Sequence, residues 1–232
     1  MKGRGESQRG QQHIAYTRLH LAVRWSTILL PFEQARFLSL LPGEGYVVSP
    51  EVAEGLRGFT AAAASGRVAR KGKTALDMDV DKATLGIEAS EPGSLISDFE
   101  EIEMLLESQL GFGSREHAHF YELLASGLIT VNRPALDLMR SLELSASVTE
   151  PLSAAFGLGR LRDVSIKLVQ EQGTALSPNW CEVQIDPSFR SDDQLRFNIV
   201  YRSGNRDEVL GFATRTEAAL TAAARVLETL DR

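Results

Sequence analysis

Few residues in this chain have the types and spacing that chemistry requires. The run Gly66-Arg67-Val68-Ala69-Arg70-Lys71-Gly72-Lys73-Thr74 has the glycines, lysine and threonine of a phosphate-binding loop, in which backbone N–H groups and a lysine cradle phosphate oxygens. It has one residue too many between the glycines. It also follows an alanine-rich helical segment and opens a strand-like one, the reverse of the strand-to-helix setting that such a loop needs. The run therefore reads as a solvated connection. Arg67, Arg70, Lys71 and Lys73 are its candidate electrostatic contact to nucleic-acid phosphate.

Asp77, Asp79 and Asp81, with Glu88 further on, match the oxygen-ligand spacing of a calcium loop at four positions, but Lys82 stands where that loop needs glycine. On a strand these acids simply share the face opposite Leu76, Met78 and Val80. His117 and His119 are the clustered histidines. On the helix expected there, residues two apart diverge by about 200° and cannot share an ion. There is no G-x-S-x-G elbow, no H-E-x-x-H, and Cys181 is the single cysteine, so the hydrolase, zinc-protease and thiol-redox readings lack their residues. Arg57-Gly58-Phe59 lacks the rest of an RNA-binding motif, and no basic recognition helix follows the turn-like Gly127. No metal, no cofactor and no catalytic residue is expected.

The chain has 232 residues, 43% hydrophobic and 24% charged, the proportions of a folded globular protein. Its net charge of −6 excludes the basic footprint of a dedicated nucleic-acid binder. Charge is nevertheless uneven. Lys2, Arg4, Arg9 and Arg18 give residues 1–18 the look of a flexible basic arm, and Glu88 to Glu107 form an acidic run without Lys or Arg. That run reads as the solvated face of a helix lying beside the basic connection. No apolar stretch approaches the roughly 20 residues of a membrane-spanning helix, so no membrane contact and a cytoplasmic setting are expected.

Periodicity supplies the elements that must position these residues. Alternation predicts a strand over 20–30, a helix over 32–41, a short strand at 46–48 and a helix opened by Ser49, Pro50 and Glu51 that runs to about 64. A hairpin over 74–89 turns at Asp81 and Lys82. An amphipathic helix over 94–110 then buries Leu95, Phe99, Ile102 and Leu106 at spacings of four, three and four, with its acids outward. Beyond Gly111 and Gly113 the pattern predicts helices at 115–126, 134–142 and 151–156, and strands at 164–169, 180–185, 195–201 and 208–213. Thr214 and Glu217 read as the capping box of a closing helix that buries Ala219, Ala223, Val226 and Leu230. The fold class is α+β, with antiparallel sheets and helices packed on one face. Two α+β halves, 19–112 and 113–232, each end in a hairpin and an amphipathic helix, the pattern of an internal duplication.

Over 46–108 the order of strand, helix, basic connection, hairpin and helix resembles the small dimerisation subunit of the KEOPS complex. The residues that carry the resemblance are Ser49-Pro50-Glu51-Val52-Ala53-Glu54, the strand Leu85-Gly86-Ile87-Glu88-Ala89, Ser94-Leu95, and the apolar positions Phe99, Ile102, Leu105 and Leu106. The chain departs from that family at Ile96 and Glu100, where arginine and asparagine are usual. The resemblance implies a non-enzymatic scaffold that binds protein partners, among them a tRNA-modifying ATPase that makes threonylcarbamoyladenosine. It also implies that the second half takes the place of a second protomer, giving a pseudo-dimer in one chain. Arg67, Arg70, Lys71 and Lys73 would then touch tRNA weakly, and Leu95, Phe99, Ile102 and Leu106 would line a packing helix. Two other readings stand beside it: a small-molecule-binding protein or enzyme with a pocket between the C-terminal sheet and the last helix, and a nucleic-acid-associated protein using the basic arm and connection.

Overall fold

A computed structural model describes residues 13–27, 29, 31–57, 66–140, 154–155 and 165–229. The strands are β1 (Ile14–Trp25), β2 (Val47–Val48), β3 (Gly66–Lys71), β4 (Thr74–Asp79), β5 (Thr84–Glu88), β6 (Ala118–Thr130), β7 (Ile166–Val169), β8 (Trp180–Pro187) and β9 (Gln194–Ser203). The helices are α1 (Pro31–Leu40), α2 (Pro50–Arg57), α3 (Pro92–Leu105), α4 (Ala135–Arg140) and α5 (Arg206–Thr229). All nine strands form one antiparallel sheet in the order β2-β3-β4-β5-β1-β6-β9-β8-β7. The fold class is α+β.

The order has a centre. β1 and β6 pair along most of their length, with Leu21 opposite Leu123. Moving outward from them, the sheet reads β5, β4, β3 on one side and β9, β8, β7 on the other. Chain order repeats in part: each half has a strand, a helix, a three-stranded meander and a long helix in that order, but in the first half β2 and α2 stand between the helix and the meander. The long helices share one burial pattern. Leu95, Phe99, Ile102 and Leu106 in and just after α3, and Val209, Ala213, Thr216 and Leu220 in α5, are buried at the same spacings of four, three and four. This repetition is stronger in topology than in residue identity, because burying a helix on a sheet constrains the size and spacing of side chains and leaves their identity loose.

α3 lies on β1 and β5, and α5 on β6 and β9, so both long helices cover the same face. The core between the layers is filled by Leu19, Leu21 and Val23 of β1, Leu123 and Ala125 of β6, and Phe197 and Ile199 of β9 against the helices. Phe99 meets Tyr121 edge to face at 6.1 Å. Each fully buried large side chain contributes roughly 1.5–3 kcal/mol. The opposite face carries paired charges: Arg67 with Glu88, Arg202 with Glu122, and Arg196 with Asp186.

Several expected elements differ. β1 starts at Ile14, so the last residues of the expected basic arm are strand, and Arg18 pairs with Ser126 in the ladder. A register shift between Tyr16 and Arg18 hides that start by breaking the alternation. The expected connection at 66–71 is strand β3, and a shift between Arg67 and Ala69 conceals it in the same way. Residues 118–130 form a strand, not a helix. β6 has a strand on each side, and Leu124 and Leu128 on its second face fill the polar positions that would have marked alternation. The expected strand at 208–213 belongs to α5, whose start is capped by the Asn205 side-chain oxygen accepting from the Asp207 N–H. Thr214 is therefore inside the helix, its hydroxyl donating to the Leu210 carbonyl. The buried face is accordingly Val209, Ala213, Thr216, Leu220, Ala224 and Leu227, with Ala219 and Val226 exposed. Leu230, the helical extension over 58–64 and most of 151–156 lie outside the described residues.

Candidate functional site

The β3–β4 hairpin turns at Gly72, whose φ of 58° favours a residue without Cβ. It holds Lys71 and Lys73 beside the start of α3. That helix begins after an extended Glu91, with Pro92 at its first position and no side chain capping its N–H groups. Between the hairpin and the helix start is an open hollow of about 360 Å³, lined by Lys71, Lys73, Thr74, Ser94, Ser97 and Asp98 among others.

Its charges are largely satisfied. Lys71 Nζ donates to both Glu101 oxygens at 2.7 Å and sits over the Tyr46 ring at 5.2 Å. The Thr74 hydroxyl donates to Asp98 at 2.6 Å. Burial first, then the neighbouring carboxylates of Asp98, Glu101 and Glu44, push the Tyr46 phenol far above its ordinary range, so it stays a neutral O–H. Lys73 is exposed at the rim and makes no ion pair among the described residues.

The four basic residues named from the sequence do not converge. Arg67 and Arg70 are opposite Asp77 and Ala75 on the face away from the helices, whereas Lys71 is opposite Thr74 on the helix side. Arg67 is bound to Glu88 at 3.1 Å, and Arg18 reaches the same carboxylate at 3.8 Å. Arg70 is exposed and has no ion pair among the described residues. Leu95, Phe99, Ile102 and Leu106 are all fully buried against the sheet of their own chain. The acids of α3 are not all outward: Glu103 is buried and accepts from Arg206 Nε at 2.6 Å.

The tempting motifs are used locally. Asp77 Oδ1 accepts from the His20 ring Nε2–H at 2.9 Å, and Asp79 caps the turn at Lys82. His117 and His119 are exposed, one in a turn and one on β6, with their rings beside Phe112 and Phe120. No group of three or more potential metal ligands occurs among the described residues.

Two clusters went unrecognised in the sequence. His20 is buried over Gly86, where a Cβ would come within 2.3 Å of its Nε2. The second is Glu103 with Arg206 and Tyr121. Burial raises the Glu103 carboxyl pKa against the opposing pull of Arg206, and burial followed by Glu103 raises the Tyr121 phenol. A glycine between the buried Leu85 and Ile87 of β5 was the only local signal of the first. The second joins residues far apart in sequence and has none.

Fold and site together define a two-layer α+β protein built from two like-ordered halves, with a polar hollow at one helix start. The chain matches no protein-family model, and no curated protein matches it. No helix among the described residues is long and apolar enough to cross a membrane.

Proposed function

We propose that the chain is a non-enzymatic scaffold that works as a pseudo-dimer, in the manner of the dimerisation subunit of a KEOPS-like tRNA-modification complex. The observation that supports this reading is the mirrored order of three strands on each side of β1 and β6, together with the repeat of strand, helix, meander and long helix, which β2 and α2 interrupt in the first half. One polypeptide thereby supplies the two like halves that a dimerisation subunit supplies with two protomers. The partners would be proteins, a tRNA-modifying ATPase among them, in the cytoplasm. Because Leu95, Phe99, Ile102 and Leu106 are consumed by the core, a partner on α3 would meet its outer side, where Met104 is exposed.

The test is affinity capture of the tagged full chain from its native cells, with and without RNase, followed by mass spectrometry. Recovery of a tRNA-modifying ATPase that survives RNase supports the scaffold. Recovery of the chain alone, or of partners that RNase removes, overturns it.

A second reading is favoured by the hollow at the start of α3. Lys73, uncapped helix N–H groups and serine hydroxyls there suit a weak contact to RNA phosphate. It predicts tRNA binding that weakens steeply with salt and weakens further in Lys73→Gln. The space between the C-terminal sheet and α5 is packed by Val209, Ala213 and Leu220 with Leu195, Phe197 and Ile199, which does not favour a ligand pocket there.

A further inference from the structure

The repeat of the two halves breaks at the ends of the sheet. On one side β3 is followed by a further strand, β2, which pairs Val47 with Arg70 and Val48 with Ala69. On the other, β7 is the outermost strand among the described residues. β7 reads Ile166-Lys167-Leu168-Val169, with no proline and one charge. That charge is already engaged, since Lys167 Nζ is 2.8 Å from Glu182 of the neighbouring strand. Edge strands of stable monomers are ordinarily protected by shortness, lysines, prolines or bulges; β7 is short, but it has no proline and no bulge, and its one lysine is held by Glu182. Leu168 and Val169 are 60% and 51% exposed, an unusual state for large apolar side chains on a strand.

We propose that β7 is a dimerisation edge, pairing antiparallel with β7 of a second copy across a twofold axis. Side chains that face each other across a strand pair lie on the same face, so the axis passes through a residue position. A register centred on Lys167 opposes two lysines, which is unfavourable. A register centred on Leu168 opposes the two leucines on the helix-bearing face and puts Lys167 against Val169 of the second copy on the other. Self-complementarity extends to the loops. Leu176, in the β7–β8 loop, and Phe189, after β8, are each 89% exposed and lie at opposite ends of this hairpin. A twofold axis through β7 brings the Leu176 end of one copy to the Phe189 end of the other, twice. A foreign peptide would satisfy the strand edge but leave both side chains in water, and this favours a second copy.

The experiment measures the mass of the full chain by light scattering behind size exclusion at roughly micromolar and tenfold higher concentrations. It is run beside Leu168→Glu, whose fold is checked by circular dichroism. The same chain carrying Leu168→Cys and Cys181→Ser is then exposed to mild oxidant. A dimer that Leu168→Glu converts to monomer, and a disulfide cross-link between copies in the Leu168→Cys variant, are the expected results. The cross-link decides the matter if Leu168→Glu fails to fold. A monomer at both concentrations overturns the proposal. So does a dimer indifferent to Leu168→Glu that also forms no cross-link, or an open-ended ladder of species, which is the mark of head-to-tail pairing of β2 with β7.

Discussion

Arg206 binds Glu103 through its Nε at 2.6 Å, tying the first residue of α5 to the buried side of α3. The same guanidinium reaches Glu100 at 3.1 Å. The pair fastens one half of the repeat to the other on the helix-bearing face. Glu103 has one of its oxygens buried without a hydrogen-bond partner, so the arginine is its main compensation. Arg206→Ala leaves a buried carboxyl unpaired and is expected to cost about 3 kcal/mol, whereas Arg206→Met with Glu103→Leu, which removes both charges, is expected to cost much less. Urea unfolding of the two variants beside the parent makes the comparison. Equal losses would mean that packing, and not charge pairing, joins the halves.

The same carboxyl sets a pH dependence. Burial raises the Glu103 pKa above its ordinary value of 4.5, even with Arg206 beside it. A group whose pKa is raised by folding binds its proton more tightly in the folded state, so its favourable contribution is complete below the unfolded value. The contribution declines as pH rises through the folded one. Glu103→Gln removes this titration. The stability of the parent relative to Glu103→Gln is therefore expected to be highest at acid pH and to fall as pH rises above about 4.5. Denaturant midpoints for both proteins across the acid range measure it. A constant or rising difference would show that the arginine outweighs burial.

Gly86 is expected to tolerate no side chain. Its Cβ would stand 2.3 Å from His20 Nε2 and 3.2 Å from an Asp77 oxygen, so Gly86→Ala pushes the imidazole off its carboxylate. The expected cost is about 1–3 kcal/mol, the usual range for overpacking. In a His20→Ala background the same change should cost little, because the obstacle has gone. A double-mutant cycle by thermal or urea unfolding reads the coupling directly. If the cost persisted without His20, the strain would lie in the β5 backbone.

What could be read from the sequence was decided by how each element meets its neighbours. The hairpin of β4 and β5 was legible because Leu76 and Met78 alternate with Asp77 and Asp79, one face buried and the other charged. α3 was legible from the spacing of Leu95, Phe99, Ile102 and Leu106. β6 was not, because a strand at the centre of the sheet carries Leu124 and Leu128 on its second face and so loses the polar half of its period. The start of α5 was missed because Asn205, not Thr214, caps it, and moving the start rotated every buried position that followed. Of the candidate contact residues, the sequence could not reveal that β3 sends Arg67 and Lys71 to opposite faces, since a register shift lies between them.

The inner and outer sides of α3 separate folding from recognition. Phe99 is fully buried and meets the Tyr121 ring, so Phe99→Ala removes a large core side chain and is expected to cost about 3–5 kcal/mol. Met104, 65% exposed on the same helix, contributes little to the core. Met104→Glu is expected to leave stability within about 0.5 kcal/mol of the parent, as surface changes usually do. If a protein partner packs on the outer side of α3, Met104→Glu lowers recovery of that partner in affinity capture although the protein remains fully folded. Leu136→Glu, at another exposed apolar position on α4, is the control for loss of surface hydrophobicity alone. Equal recovery with all three proteins, the parent included, would remove the outer side of α3 from the interaction and leave the open face of the sheet as the surface to test next.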